Sequence, residues 1–372
     1  MSFQPPPGGA PQPPPGQPYP PPQGYGPPPQ QGWPQQPWSP GPPPKKRGNG
    51  WKWGLGAVAL LAVVGVTAAV TISVTKDDSS TPTSPSGNDF GLASANDKGP
   101  ANIITEDPSC AAWRPVNQTF ADISKKGWND RDPAIPAANW TPDQRSHYEE
   151  VGQAFRNAAD QTVPLAELTP HRVMRELYEQ FIAYARAYSD AIPTYTAADD
   201  HLARVVTSSS GVLGYVCTAI SYGSAQARAP LVAAPPSPSA IAPLADPSNP
   251  ERFLTTGDPT CSEWDRLLNQ FPTDTQAWHA IDPAIPASGW SPEQRAVNDA
   301  VVPVMKQYAD SFEELGRRSS NPVIEDLAVF AAQYRRAYAD ALPTYTSADS
   351  YLDSAAGRSS SIIYEACKAV GE

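Results

Sequence analysis

The chain has 372 residues, 46 of them proline, is 40% hydrophobic and carries a formal net charge of −11. The length allows about two domains, and the acidic balance argues against a nucleic-acid partner. All four cysteines (Cys110, Cys217, Cys261, Cys367) lie in the last three-quarters of the chain, a usage that suits an oxidising compartment.

Residues 1–53 are dominated by Pro, Gly and Gln with scattered aromatics such as Tyr19, Tyr25, Trp33 and Trp38. Proline removes hydrogen-bond donors, and there is little to bury. The composition predicts a disordered tail with polyproline-II character. Three readings stay open: a ligand for a Pro-motif-binding protein with an aromatic-lined groove, a self-associating low-complexity tail, or a solvated spacer.

Gly54 to Val74 is uncharged and proline-free. At 1.5 Å per residue it spans about 30 Å as a helix, the thickness of a hydrocarbon core. Lys45, Lys46, Arg47 and Lys52 precede it, and no Asp or Glu occurs before residue 77. That asymmetry predicts one transmembrane helix at 54–74 with the N-terminus cytoplasmic and the rest extracytoplasmic. Trp51 and Trp53 suit an interfacial belt. The rival reading, a cleaved signal peptide, needs a much shorter basic region and a shorter apolar run. Residues 75–106 are rich in Ser, Thr, Pro, Asp and Gly and are expected to form a flexible stalk.

The chain then repeats. Asp107-Pro-Ser-Cys110-Ala-Ala-Trp113 returns as Asp258-Pro-Thr-Cys261-Ser-Glu-Trp264, and Asp-Pro-Ala-Ile-Pro at 132–136 returns at 282–286. Trp140-Thr-Pro-Asp-Gln-Arg145 returns as Trp290-Ser-Pro-Glu-Gln-Arg295, with a steady offset of 150 that also relates Cys217 to Cys367. The duplication defines module 1 (107–225), a Pro/Ala-rich linker (226–256) and module 2 (257–372).

Each copy is expected to be all-α with four helices. Their starts are marked by Asp107-Pro108, Thr141-Pro142, Thr169-Pro170 and Thr196, and by Asp258-Pro259, Ser291-Pro292, Asn321-Pro322 and Thr346. Thr141 with Gln144, and Ser291 with Gln294, fit capping boxes. Met174, Leu177, Phe181, Tyr184 and Tyr188 form one apolar stripe, repeated by Ile324, Leu327, Ala331, Tyr334 and Tyr338. Pro303 is expected to kink the second helix of module 2. Duplication favours one disulfide per copy, Cys110–Cys217 and Cys261–Cys367, out of three possible pairings.

No catalytic signature is legible, and no cofactor is expected. His147, His171, His201 and His279 do not recur between copies and form no metal-binding spacing. Asp199-Asp200 belongs to a helix's first turn, where acids are favoured. Asn117-Gln-Thr and Asn139-Trp-Thr match glycosylation sequons without recurring. The candidate binding residues are the polar ones kept in both copies: Asp132, Arg145, Arg186, Asp190 and Tyr195, and Asp282, Arg295, Arg336, Asp340 and Tyr345. Their structural alternative pairs Arg145 with Asp132 and uses the others as caps and salt bridges. The repeated tryptophans are expected to be core anchors.

The whole layout (Pro/Gly/Gln tail, basic flank, one Ala/Val-rich span, Ser/Pro stalk, Cys-containing exterior) resembles the proline-rich single-pass envelope proteins of mycobacteria and related actinobacteria. The resemblance implies a cell-envelope setting and carries no activity. The leading expectation is a non-enzymatic, membrane-anchored protein whose tandem modules bind an envelope protein or polymer, gaining avidity if the linker lets both engage. The alternatives are an envelope enzyme acting on cell-wall polymer or lipid, and a passive spacer.

Overall fold

A computed structural model describes residues 90–124 and 127–372. The expected tail, the span at 54–74 and the first part of the stalk lie outside the described residues. Among those described, no helix is long and apolar enough to cross a membrane.

The described chain is all-helical. Module 1 contains α1 (Ser109–Ser124), α2 (Pro142–Leu168), α3 (Arg172–Ala191) and α4 (Asp200–Ser221), followed by the short α5 (Ser224–Arg228). Module 2 contains α6 (Cys261–Asp274), the one-turn α7 (Gln276–His279), α8 (Pro292–Arg318), α9 (Pro322–Ala341) and α10 (Ser350–Ala369). Both expected capping boxes form. Thr141 accepts from Gln144 N and Ser291 from Gln294 N, each at 3.2 Å, while the Gln side chains reach back to the cap amides. Thr196 and Thr346 likewise form boxes with Asp199 and Asp349, although a 3-10 turn precedes each fourth helix. Helix α8 continues through Pro303 from end to end.

Some starts differ from expectation. Helix α3 begins at Arg172 rather than Pro170, because Thr169 turns its hydroxyl to Asp107 at 2.5 Å instead of capping. Asp107 and Asp258 precede α1 and α6 by two and three residues. In each, Oδ1 accepts the amide two residues on, and Oδ2 accepts the hydroxyl of Thr169 or Ser319. Each of these aspartates therefore ties a first helix to the corner between the second and third.

Two disulfides close the modules in the expected pairing, Cys110–Cys217 and Cys261–Cys367, with Cα separations of 5.3 and 5.6 Å. The cores also meet expectation in their aromatic anchors. Trp113 packs edge-on against Tyr178 and Phe181, and Trp264 stacks on Phe312.

The modules are not separate beads. The most extensive helix contact in the molecule is α4 against α10, one helix from each copy, and α3 touches α9 beside it. The order of packing is α2, α3, α4, α10, α9, α8, so the two copies form one continuous array about a pseudo-two-fold axis. His201 of α4 meets Glu365 of α10 at 2.6 Å. The positions 150 residues away, Tyr351 and Tyr215, stack on each other across the same interface. Such reciprocal contact is the signature of an isologous dimer interface, here within one chain. Whether the two modules pack together, left open by the sequence, is answered by this interface.

This packing also changes the reading of the third helices. A single buried stripe was expected. Instead α3 and α9 sit inside the array, and Arg172, Arg175, Glu176, Glu179, Glu325, Asp326 and Arg335 are buried with the stripe. The Arg172 guanidinium crosses between modules. Its Nε and Nη2 donate to the two oxygens of Asp326 at 2.7 and 2.8 Å, and Nη1 donates to the carbonyls of Asp97 and Gly99. A buried charge is tolerated when its donors are satisfied in this way.

The described part of the expected stalk differs from a flexible segment. From Leu92 onward the chain packs onto the helices: Leu92, Ala101 and Ile104 are buried, and Ile104 N donates to Tyr334 Oη. The few apolar residues of this stretch, diluted in a polar average, find a ready surface at α2, α3 and α9. The linker is pinned along its length. Arg228 donates twice to Asp349, Ser239 N donates to Glu325, and Asn321 Nδ2 donates to Phe253 O.

Candidate functional site

The Asp-Pro-Ala-Ile-Pro loop is built identically in both copies. Asp132 Oδ1 accepts from Ala134 N at 2.9 Å, and Asp282 Oδ1 from Ala284 N at 2.8 Å. Arg145 does not pair with Asp132 as expected. Its Nη2 donates to Ala137 O at 2.7 Å, and Arg295 donates to Ala287 O at the same distance. The tyrosines close the clamp: Tyr195 Oη donates to Pro133 O and Tyr345 Oη to Pro283 O, while Trp140 and Trp290 donate to Ile135 O and Ile285 O. Aspartate folds the loop on itself; arginine, tryptophan and tyrosine fasten its carbonyls. Burial pushes both tyrosine hydroxyls above their ordinary value, so they serve as neutral donors.

Arg186, Asp190, Arg336 and Asp340 lie elsewhere, as struts between the second and third helices. Arg186 bonds Asp160 and the linker carbonyl of Ser248; Asp190 bonds Arg156. Arg336 bonds Asp310 and Glu313, and Asp340 meets Lys306 at 2.6 Å. The ten candidates thus divide between two places, and each has a protein partner. Among the described residues, no group of three or more His, Cys, Asp or Glu side chains could hold a metal ion.

What differs between the copies is the space under the clamp. In module 1 it is filled. The Tyr148 ring stacks on Trp140 with centroids 3.9 Å apart, and the Arg131 guanidinium lies 3.9 Å over the Trp128 ring while pairing with Asp200. The matching positions in module 2 are Asn298, Ile281 and Ser350. A cavity of about 30 Å³ remains there, lined by Trp278, Trp290, Asn298, Tyr338 and Tyr345. Trp128 is fully buried, whereas its mate Trp278 is partly exposed. Module 2 places its own buried charge elsewhere, in an Arg335–Asp353 pair, where burial pushes the Asp353 carboxyl up.

A larger groove of about 420 Å³ runs between α1 and α2, with Val116, Phe120 and Ala158 in it. Gln153 bonds Asn157 and Gln161 bonds Asn157 O within α2, and Thr119 bonds Pro115 O within α1.

The residues that comparison of the copies missed are those of the module interface. Arg172 is matched by Pro322, Arg175 by Glu325 and His201 by Tyr351, so none is kept. Here the chemistry is unusual. Glu176 is buried beside Asp326, and its nearest cation, Arg175 Nη2, is 3.8 Å away. Burial first, then the Asp326 carboxylate, hold its pKa well above the ordinary 4.5. Burial also raises Asp326, against the pull of Arg172.

The fold and these contacts define a duplicated, disulfide-closed helical body whose shared polar residues act as fasteners. The particular family is shown by similarity. The model of the Mycobacterial ESX-1 associated protein family matches residues 92–371, and the chain belongs to that family. It is 52% identical over 347 residues, 91% of each chain, to an uncharacterized protein of Mycolicibacterium smegmatis (strain MKD8). No solved structure matches. The resemblance to a mycobacterial family is thereby met at the level of the family.

Proposed function

We propose that the chain is a non-enzymatic envelope protein, anchored once through residues 54–74, whose fused helical body binds an envelope partner. The observation that carries this reading is the pair of disulfides, one closing each module, since such bonds persist in oxidising compartments. The basic flank before residue 54 and the acidic remainder support the orientation. The family's description supports a setting near ESX-1, a secretion-system context. Binding is ascribed to the body as a whole, because the two copies share one core.

The test uses the full chain in intact mycobacteria with an epitope at each end. External protease is expected to remove the C-terminal epitope and spare the N-terminal one; protection of both would refute the topology. Photocrosslinking from the surface of α2 and α8 is expected to trap one defined protein. The absence of any adduct from either helix would refute the binding role.

A further inference from the structure

Where α3 meets α9, each copy places an acid at the same position, Glu176 in module 1 and Asp326 in module 2. A residue that meets its own mate lies near the pseudo-two-fold axis, and like charges therefore face each other there, 1% exposed each. The two acids differ in their partners. Asp326 accepts from Arg172 on both oxygens, from Nε at 2.7 Å and Nη2 at 2.8 Å. Neither carboxylate oxygen of Glu176 has a hydrogen-bond donor among the described residues. Its neighbour Arg175 directs Nη1 to both oxygens of Glu179, at 2.9 and 3.0 Å. Arg175 Nη2 stays 3.8 Å from Glu176, beyond bonding distance.

The buried charges here hold one acid in excess. Arg172, Arg175 and Glu179 act on Glu176 from its own helix, and Asp326 acts on it from α9. Glu325, next to Asp326, is paired with Arg317 at 3.0 Å, and the half-buried Asp97 of the lead segment lies 3.9 Å from Arg172. Arg172 answers Asp326 and Arg175 answers Glu179, which leaves Glu176 over. A carboxylate left uncompensated in the interior takes up a proton instead of staying charged. Of two carboxyls that share a site, one holds its proton far above the ordinary range. The Glu176 hydroxyl so formed has its acceptor beside it in Asp326, and one proton resolves both the missing donor and the like-charge contact. Burial, and after it the Asp326 charge, push Glu176 in that direction.

We infer that Glu176 and Asp326 form a proton-held joint between the modules: one proton shared by the pair closes α3 on α9, and its release to water loosens that contact. The pair titrates as a unit, with the proton resident on Glu176 because Asp326 is engaged by Arg172. Opening of the joint exposes Glu176 to water and returns it to the ordinary carboxyl range. Closure is therefore complete below about pH 4.5 and weakens as pH rises toward the folded pKa. The same Arg172 holds the carbonyls of Asp97 and Gly99, so the lead segment registers the change. The larger contact of α4 with α10 contains none of these groups and stays closed. The joint lies inside the body and is independent of what the body binds or how it is anchored.

The test combines infrared spectroscopy and hydrogen exchange on the full chain in detergent micelles, with isotope-labelled glutamate carboxyls. In the parent, a labelled carboxyl is expected to stay protonated above the ordinary range, and Glu176→Gln is expected to remove it. Hydrogen exchange, corrected for the intrinsic effect of pH, is expected to show opening of α3, α9 and residues 97–104. In the parent that opening rises by up to about tenfold per pH unit until the folded pKa is reached. Glu176→Gln keeps the shape of the neutral acid and is expected to hold the opening level over the same range. Asp326→Asn, which frees Arg172 to pair with Glu176, is expected to lower the proton affinity of Glu176 by about tenfold or more. Three results would overturn the inference. The first is a protonated signal unchanged by Glu176→Gln, or none at all. The second is an equal pH dependence of opening in the parent and Glu176→Gln. The third is an unchanged proton affinity in a folded Asp326→Asn variant. Should Asp326→Asn misfold, the contrast between the parent and Glu176→Gln decides the question alone.

Discussion

Module 1 and module 2 share their fasteners and differ in their fillings. The loop clamp, the aspartate that ties the first helix to the second corner, the capping boxes and the disulfide recur at matching positions. Beneath the clamp, Tyr148 and Arg131 in one copy become Asn298 and Ile281 in the other. Across the interface, one reciprocal contact is His201 with Glu365 and its mate is Tyr351 with Tyr215. The lesson is that, at the clamp, the groups that hold backbone carbonyls in place are kept in both copies and the groups that fill the volume beneath them are not. A lost carbonyl partner leaves a buried acceptor unpaired, whereas a volume can be repacked.

The comparison is broken most severely at the disulfides. The loops close over 107 and 106 residues, so the chain-entropy model assigns each nearly the same stabilisation, about 4.7 kcal/mol. Replacing Cys110 and Cys217 by Ser is expected to cost as much as replacing Cys261 and Cys367, measured by denaturant unfolding. Unequal losses would show that one copy depends on the other for its fold. Next comes Arg172→Ala, which strands Asp326 in the interior. It is expected to cost about 3–5 kcal/mol and to split a single calorimetric transition into two, as the copies uncouple. A single transition of unchanged midpoint would remove this pair from the interface account.

A smaller effect follows pH. Glu176 titrates higher in the fold than in the unfolded chain, so the folded state binds more protons. Its contribution is fully present below about pH 4.5 and falls as pH rises toward the folded pKa, by up to about 1.4 kcal/mol per pH unit for one proton. Glu176→Gln is expected to flatten that part of the stability profile, read from melting temperatures in matched buffers. An identical slope in parent and variant would refute the assignment. The smallest effect belongs to the struts. Arg186 faces a largely exposed Asp160 and Arg336 a largely exposed Asp310. Either change to Ala is expected to cost less than about 1 kcal/mol, with Arg336 the larger because it also holds the half-buried Glu313. Thermal melts of the two variants side by side check the order.

The same division explains what could be read from the sequence. Comparing the copies revealed the duplication, the helical class, the caps at Thr141 and Ser291 and the cysteine pairing, because all of these repeat. It picked out Asp132, Arg145 and Tyr195 as a kept set, and its structural alternative gave Arg145 the wrong partner: a carbonyl acceptor carries no side-chain signature, so Ala137 O was invisible. It passed over Arg172, His201 and Glu365 because their matching positions are Pro322, Tyr351 and Tyr215, and over Asp326 because its mate is Glu176, an acid of a different length. Residues 92–104 were hidden by averaging, since three buried apolar side chains in a polar run do not change its composition. The small cavity beside Asn298 was legible in principle, as a Tyr-to-Asn exchange inside an otherwise matched aromatic set.

The disulfides have a mechanical consequence. If load enters at residue 90 and leaves at the C-terminus, its path crosses from Cys110 directly to Cys217 and from Cys261 directly to Cys367. About three-quarters of the described residues lie inside those two covalent loops and bear no tension along their length. Pulled from its ends, the protein can pay out only the lead segment, the linker and the last few residues, which are the stretches pinned to the helical array by hydrogen bonds. Along that path the two disulfides act as covalent stops.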